Sequence, residues 1–278
     1  MRTNIKLLSF LLITLAIACS KKESINISGS TTVLKVVAVA AEKYKLEHPE
    51  VNLIINAGGS GVGINQLGKQ NIEIGMASRN ITDKEIAQYP EVDFVTHSIG
   101  KDAVVPVVSS EVFDAGVQAL TLAQIGQIYR GKITNWSVLG GPDKDILVID
   151  KERARGTRHV FMKAVLGDKE ADAPGADLVL GANNEEQTAI VQSDAAIGML
   201  SNAWLNKDVK GLSIILEDST IIAPSLANII NGSFPITRDL YLITNGAPTG
   251  AAKNFIDFML SKKGQQMVEE AGYVKVIQ

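Results

Sequence analysis

The sequence has little of what most covalent and metal chemistry requires. Of its 278 residues one is cysteine and three are histidine. A single thiol, Cys19, offers neither a disulfide framework nor a thiolate metal site. His48, His97 and His159 stand singly, none at metal-ligand spacing. No Ser–His–acid grouping is recognisable, so the reading is of a chain that is not an enzyme and uses no cofactor or metal. Aromatic residues make up 5% and the formal charge is −3, a balance that excludes a general nucleic-acid binder. An anionic ligand, if there is one, must be attracted locally. Beyond the N-terminus no apolar run has the length and purity of a membrane-spanning helix.

The N-terminus is the exception to that polarity. Arg2 and Lys6 precede an apolar run from Leu7 to Ala18, broken only by Ser9 and Thr14. The run is too short to span a bilayer and fits the core of a signal peptide. It ends in Ala16-Ile17-Ala18-Cys19, which resembles a bacterial lipoprotein box, with Ala16 where Leu is commoner. The expectation is a signal peptide over 1–18, an acylated Cys19 and a polar tether over 19–24. The mature protein would then sit on the extracytoplasmic face of a bacterial membrane, held by its lipid. Loss of two cations brings the charge near −5. About 260 residues remain, enough for two lobes of ordinary domain size.

Strand and helix patterns alternate along that length, which predicts α/β layers. Strands are expected at Ser24–Ser28, Val51–Asn56, Ile72–Ala77, Phe94–Ser98, Ala103–Val108, Ile146–Asp150, Ala195–Leu200 and Asp239–Thr244. Helices are expected at Val33–His48, Ile64–Lys69, Thr82–Gln88, Thr121–Arg130, Gly156–Leu166, Glu185–Ser193, Gly250–Leu260 and Gly264–Glu270. Ala57–Gly63 reads as a glycine-rich loop.

Three strand-to-helix junctions carry glycine and small hydroxyl residues. They are Gly29-Ser30-Thr31-Thr32, Gly58-Gly59-Ser60-Gly61-Val62-Gly63 and Arg155-Gly156-Thr157-Arg158. First-turn amides lack intrahelical partners and carry the positive end of the helix dipole, so such junctions bind anions. Taken singly, each is equally an ordinary cap or turn. The glycine loop lacks the Lys-Ser/Thr ending of a P-loop and the spacing of a dinucleotide fingerprint. Three together point to one shared anion site.

Ser28-Gly29-Ser30-Thr31-Thr32-Val33 resembles the first phosphate loop of the phosphate-binding proteins of ABC importers. Gly59-Ser60-Gly61 is similar to their second loop, and Ile74-Gly75-Met76-Ala77-Ser78-Arg79 to their third. Ile128–Trp136, Gly156-Thr157-Arg158, Ala196-Ile197-Gly198-Met199, Phe234–Leu240 and the ending around Phe255–Phe258, Gly264-Gln265 and Gly272-Tyr273 follow in the same order. The resemblance covers essentially the whole mature chain. It implies a two-lobed, periplasmic-binding-protein-like (type II) α/β fold, each lobe a mixed sheet flanked by helices. Lobe 1 would comprise 25–101 plus 237–278, and lobe 2 would comprise 102–236. The crossovers would lie near Gly100–Ala103 and Phe234–Arg238 and act as a hinge. The implied function is capture of inorganic phosphate by a monomer and its delivery to a membrane permease. Other readings on the same fold are a binding protein for another tetrahedral oxyanion and a surface adhesion or signalling protein.

By the same resemblance Ser30, Thr31, Thr32, Ser60 and Ser78 are ligand residues of lobe 1, and Gly156 and Thr157 of lobe 2. Two departures change the chemistry. Many relatives carry Asp where Ser78 stands, a carboxylate that accepts the proton of phosphate and repels sulfate. Asp102 at the first crossover is the candidate substitute; otherwise it is a solvated hinge acid. The family's Arg and Ser positions in the fourth loop are Lys151 and Arg155. Arg155 is the preferred cationic ligand, since a guanidinium grips two oxygens, and Arg153 is the alternative. Arg79 either reaches the anion or pairs with a neighbouring acid. Asp150 and Glu152 are expected to join these arginines in a network.

Overall fold

A computed structural model describes residues 23–276. The signal segment and Cys19 lie outside the described residues. The elements in chain order are β1 (Glu23–Gly29), α1 (Thr31–Glu47), β2 (Val51–Ala57), α2 (Ser60–Gly68), β3 (Ile74–Ala77), α3 (Asp83–Gln88), β4 (Phe94–Ser109), α4 (Ser110–Asp114), β5 (Ala119–Thr121), α5 (Leu122–Tyr129), β6 (Leu147–Lys151) and α6 (Gly156–Leu166). They continue with β7 (Leu178–Leu180), α7 (Asn183–Gln192), β8 (Ala196–Ser201), β9 (Val209–Gly211), β10 (Ser213–Ile215), β11 (Ile221–Ile222), α8 (Leu226–Ile230), β12 (Thr237–Asn245), α9 (Gly250–Leu260) and α10 (Lys262–Glu270).

Helix α1 shows how the local code operates. Ser30 caps it by accepting from the Val33 amide at 3.4 Å. Val33, Val36, Val37, Ala40 and Tyr44 recur at helical spacing and are all buried. Tyr44 meets Phe255 of α9 edge-on at 5.4 Å. Burying each such side chain contributes about 1.5–3 kcal/mol, and the helix stops before Pro49, whose ring cannot continue it.

Two large hydrophobic cores result, with a smaller cluster of Ile64, Leu67, Ile72, Ala77 and Ile243 beside α2. One gathers β1, α1, β3, α9 and α10 around Ile27, Val37, Leu240, Phe255 and Val268. The other gathers β4, α5, α6 and β8 around Val105, Ile125, Trp136, Phe161 and Ile197. These are the cores of two lobes, and one nine-stranded mixed sheet runs through both in the order β2-β1-β3-β12-β4-β8-β6-β7, with β9 on β4. A separate small sheet joins β5, β10 and β11. Among the described residues no helix is long and apolar enough to cross a membrane.

Four expectations need correction. Phe94–Ser98 and Ala103–Val108 form one sixteen-residue strand, β4. Its middle is held because Lys101 pairs with Asp239 on one side and bridges Val274 on the other. The first crossover, near Gly100–Ala103, therefore lies within β4, and the end of the second, Thr237 and Arg238, opens β12 directly against it. Ser60 to Gly63 is the first turn of α2 and not loop. The tether expected over 19–24 is too long, since Glu23 and Ser24 belong to β1. The Glu23 carboxylate accepts from the Ala251 amide at 3.2 Å, tying the strand to α9.

Candidate functional site

The helices α1, α2, α6 and α7 all begin at the cleft between the lobes, so the positive ends of their dipoles converge on it. Backbone geometry brings them close. Gly29 sits at φ 141°, and a Cβ there would lie 2.1 Å from the Met76 carbonyl oxygen. The Ser30 amide donates to that same oxygen at 2.9 Å. The Ser78 amide donates to Ser60 Oγ at 3.0 Å, fixing the third loop on the second. From the other lobe, a Cβ on Gly156 would lie 2.3 Å from Ser60 Oγ and 2.6 Å from Ser78 Oγ. A side chain there would force the two serine hydroxyls to shift while the lobes are in contact.

The resulting cluster is buried and polar, with Ser30, Thr32, Ser60, Ser78 and Thr157 each at most 3% exposed. At its centre is a residue the sequence reading left as part of a crossover, Arg238 of β12. Its Nη1 donates to Thr157 Oγ1 at 3.0 Å and Ser78 Oγ at 3.3 Å, and its Nη2 to Thr32 Oγ1 at 3.3 Å. The opposite edge of the guanidinium is gripped by Asp102, through Nε at 2.9 Å and Nη2 at 2.6 Å. Asp102 is fully buried, and its second oxygen accepts from Ser201 Oγ at 2.8 Å. Burial pushes its carboxyl up from the usual range, while the charge and hydrogen bonds of Arg238 favour the ionised form. Tyr273 supports the loop from behind, donating to the Thr32 carbonyl at 2.8 Å.

Asn183, first residue of α7 and 1% exposed, also reaches the cluster. Its Nδ2 donates across the cleft to Thr32 Oγ1 at 3.1 Å. A second contact between the lobes runs from the Gly61 amide to the Ala154 carbonyl at 2.9 Å.

The structure thus brings together Ser30, Thr32, Ser60, Ser78, Gly156 and Thr157, and places Thr31 in the first turn of α1 beside them. It turns Arg155, Arg153 and Asp102 away from the ligand position expected of them, and for Arg79 it takes the salt-bridge alternative. Arg79 forms a two-pronged bond with Glu85, at 2.9 and 2.7 Å, instead of facing the cluster. Arg155 donates from Nε and Nη2 to Glu152 at 2.8 and 2.6 Å at the cleft rim. Asp102 faces Arg238, and is neither solvated nor open to the cleft. Arg153 pairs with exposed Asp172. The expected arginine network exists with different membership, because Arg158 takes Asp150 and Lys151 takes Glu186.

Arg238 had a legible signal. Along β12 it alternates with Leu240 and Leu242 on the buried face, so the period of two placed a cation inside. Asn183 had none, since an Asn at a helix start reads as a routine cap.

A family model for the PBP superfamily domain matches residues 18–263. The chain belongs to the PBP superfamily. Among curated relatives, the phosphate-binding protein PstS of Bacillus subtilis (strain 168) is 32% identical over 255 residues, covering 91% of this chain and 81% of that one. Its counterpart in Borreliella burgdorferi is 28% identical, covering 91% and 90%. A solved structure of a putative phosphate ABC transporter substrate-binding protein with bound phosphate, from Clostridium perfringens, is 31% identical with a TM-score of 0.82. It is matched over 91% of this chain and 100% of its own.

Proposed function

We infer that this superfamily member is the substrate-binding protein of an ABC phosphate importer. It takes inorganic phosphate between its lobes and presents the closed form to a membrane permease. The observation that carries the reading is the buried ring of hydroxyls around Arg238, at the meeting point of four helix N-termini. The ring supplies donors from both lobes to a tetrahedral anion, and Arg238 supplies its counter-charge. The relatives named for phosphate support that choice of anion.

Ser30, Thr32, Ser60, Ser78, Thr157 and Arg238 are the proposed side-chain ligands, with backbone amides from Thr31 and Gly156. Asp102 holds Arg238 in place instead of meeting the ligand. Donors from both lobes favour the closed state when phosphate binds. The hinge is the adjacent pair β4 and β12, where residues 102–236 move against 25–101 and 237–278 as lobe 2 against lobe 1. Residues 1–18 are the signal, and acylated Cys19 anchors a monomer at the extracytoplasmic membrane face.

Calorimetric titration of the protein beginning at Ser20 tests the reading. One phosphate bound per chain, with at least tenfold weaker binding in Arg238→Lys, is the expected result. Absence of phosphate binding overturns it. Mass spectrometry of membrane-extracted protein tests the anchor by reading a diacylglyceryl adduct on Cys19.

A further inference from the structure

Lobe 2 reaches the cluster from two helix starts, Gly156 and Thr157 on α6 and Asn183 on α7. Both helices are tied to the end of one strand. Asp150 and Lys151 are the last two residues of β6, and successive strand residues point to opposite faces of a sheet. Each therefore meets a different helix. Asp150 accepts from Arg158 Nε at 3.0 and 3.1 Å, and Arg158 directly follows Thr157 in the first turn of α6. On the other face Lys151 pairs with Glu186, three residues after Asn183 in α7. None of the four residues is more than 5% exposed.

Each pair is also keyed to backbone. Asp150 Oδ1 accepts from the Lys151 amide at 2.7 Å, and Arg158 Nη2 donates to the Ala171 carbonyl at 2.8 Å. Glu186 Oε1 accepts from the Met199 amide of β8 at 2.6 Å, and Gly198 leaves it room, since a Cβ there would overlap that oxygen. Burial pushes the carboxyls of Asp150 and Glu186 up, and the facing cations favour their ionised forms. Buried pairs of this kind add little net stability over apolar residues of similar volume. They do fix geometry, because charge-assisted bonds allow a helix start few places to lie.

Resting on the phosphate reading above, we propose that Asp150–Arg158 and Lys151–Glu186 are two separate positioning pairs for the ligand site. The first holds Thr157 against Arg238, and the second holds Asn183 against Thr32. Neither pair meets phosphate itself. Each acts through the one helix start to which it is tied.

Phosphate calorimetry and stopped-flow release on combined variants test this. Lys151→Met with Glu186→Gln removes one pair, and Asp150→Asn with Arg158→Met removes the other. Both leave the backbone amides of Met199 and Lys151 an acceptor. In the first background phosphate release is expected to quicken at least threefold, and adding Asn183→Ala changes it by less than about twofold. Adding Thr157→Ala there still weakens affinity at least about tenfold. The second background shows the reverse: Thr157→Ala adds less than about twofold, and Asn183→Ala keeps its full effect on release. Where a neutral pair does not fold, Lys151→Arg or Arg158→Lys, which keep the charge and change its reach, carry the same comparison. Full effects of both Asn183→Ala and Thr157→Ala in either background overturn the proposal. Loss of both effects in one background also overturns it, since general loosening of lobe 2 would produce that. If the parent protein binds no phosphate, the phosphate reading itself has failed, whereas every other outcome requires that it bind.

Discussion

The guanidinium of Arg238 stands between the buried carboxylate of Asp102 and the hydroxyls of Thr32, Ser78 and Thr157. The two residues face each other across β4 and β12, the strands that connect the lobes, with Asp102 and Arg238 in direct register. One ion pair thus belongs to both the proposed hinge and the proposed ligand site.

Removing one member of a buried pair leaves the other charge uncompensated, at a cost of about 3–5 kcal/mol. Asp102→Asn is expected to lose about 3 kcal/mol of unfolding free energy by urea denaturation. Arg238→Met leaves Asp102 to be neutralised by protonation. Its folded carboxyl then titrates above the unfolded one, so the variant's stability relative to the parent falls as pH rises. An unchanged difference between pH 5 and pH 8 contradicts the assignment.

Thr157→Ala and Arg155→Ala separate the structure from the sequence-based choice of ligands. Thr157 is buried against Arg238, whereas Arg155 is engaged by Glu152 at the rim. Phosphate affinity is expected to fall at least tenfold in the first, or about 1.4 kcal/mol, and less than threefold in the second. Calorimetric titration reads both.

Asn183→Ala removes a hydrogen bond that crosses the cleft to Thr32. The closed state loses that bond and the open state does not, so phosphate release should quicken with little change in the association rate. Stopped-flow measurement of both rates checks this, and a pure loss of association rate contradicts it.

Two titrations should report the packing of Arg79. Burial alone would raise the Glu85 carboxyl, but the hydrogen bond and charge of Arg79, with bonds from Thr82, bring it below its ordinary value. Its contribution to stability is present above the unfolded value and lost as pH falls through the lowered folded one. Arg79→Ala should move that loss to higher pH, as seen in acid denaturation.

His159 is shifted in the same direction, but because burial disfavours its charged form. Burial first, then the charges of Arg79 and Lys169, bring it from 6.5 to about 4. The unfolded chain binds this proton first, so stability is lost as pH falls from about 6.5 towards about 4. NMR titration of the ring should give a midpoint near the lower value, and Lys169→Gln should raise it.

The sequence by itself determined the local structure and much of the membership of the proposed site. Apolar periodicity placed α1, α9 and the strands of both cores, and Gly29, Ser30, Ser60, Gly156 and Thr157 announced themselves as hydroxyl and glycine junctions. Such signals act within a turn or two of chain, where spacing and caps are set by neighbouring residues. The partners of charged side chains were decided only by the tertiary structure. Whether Arg155 meets the ligand or Glu152, and whether Arg79 meets Glu85, depends on which acid the fold brings within hydrogen-bond reach. Asp102 and Arg238 are 136 positions apart, and only the pairing of β4 with β12 makes them neighbours. An ion pair needs proximity and exclusion of water together, and neither is written in a linear pattern.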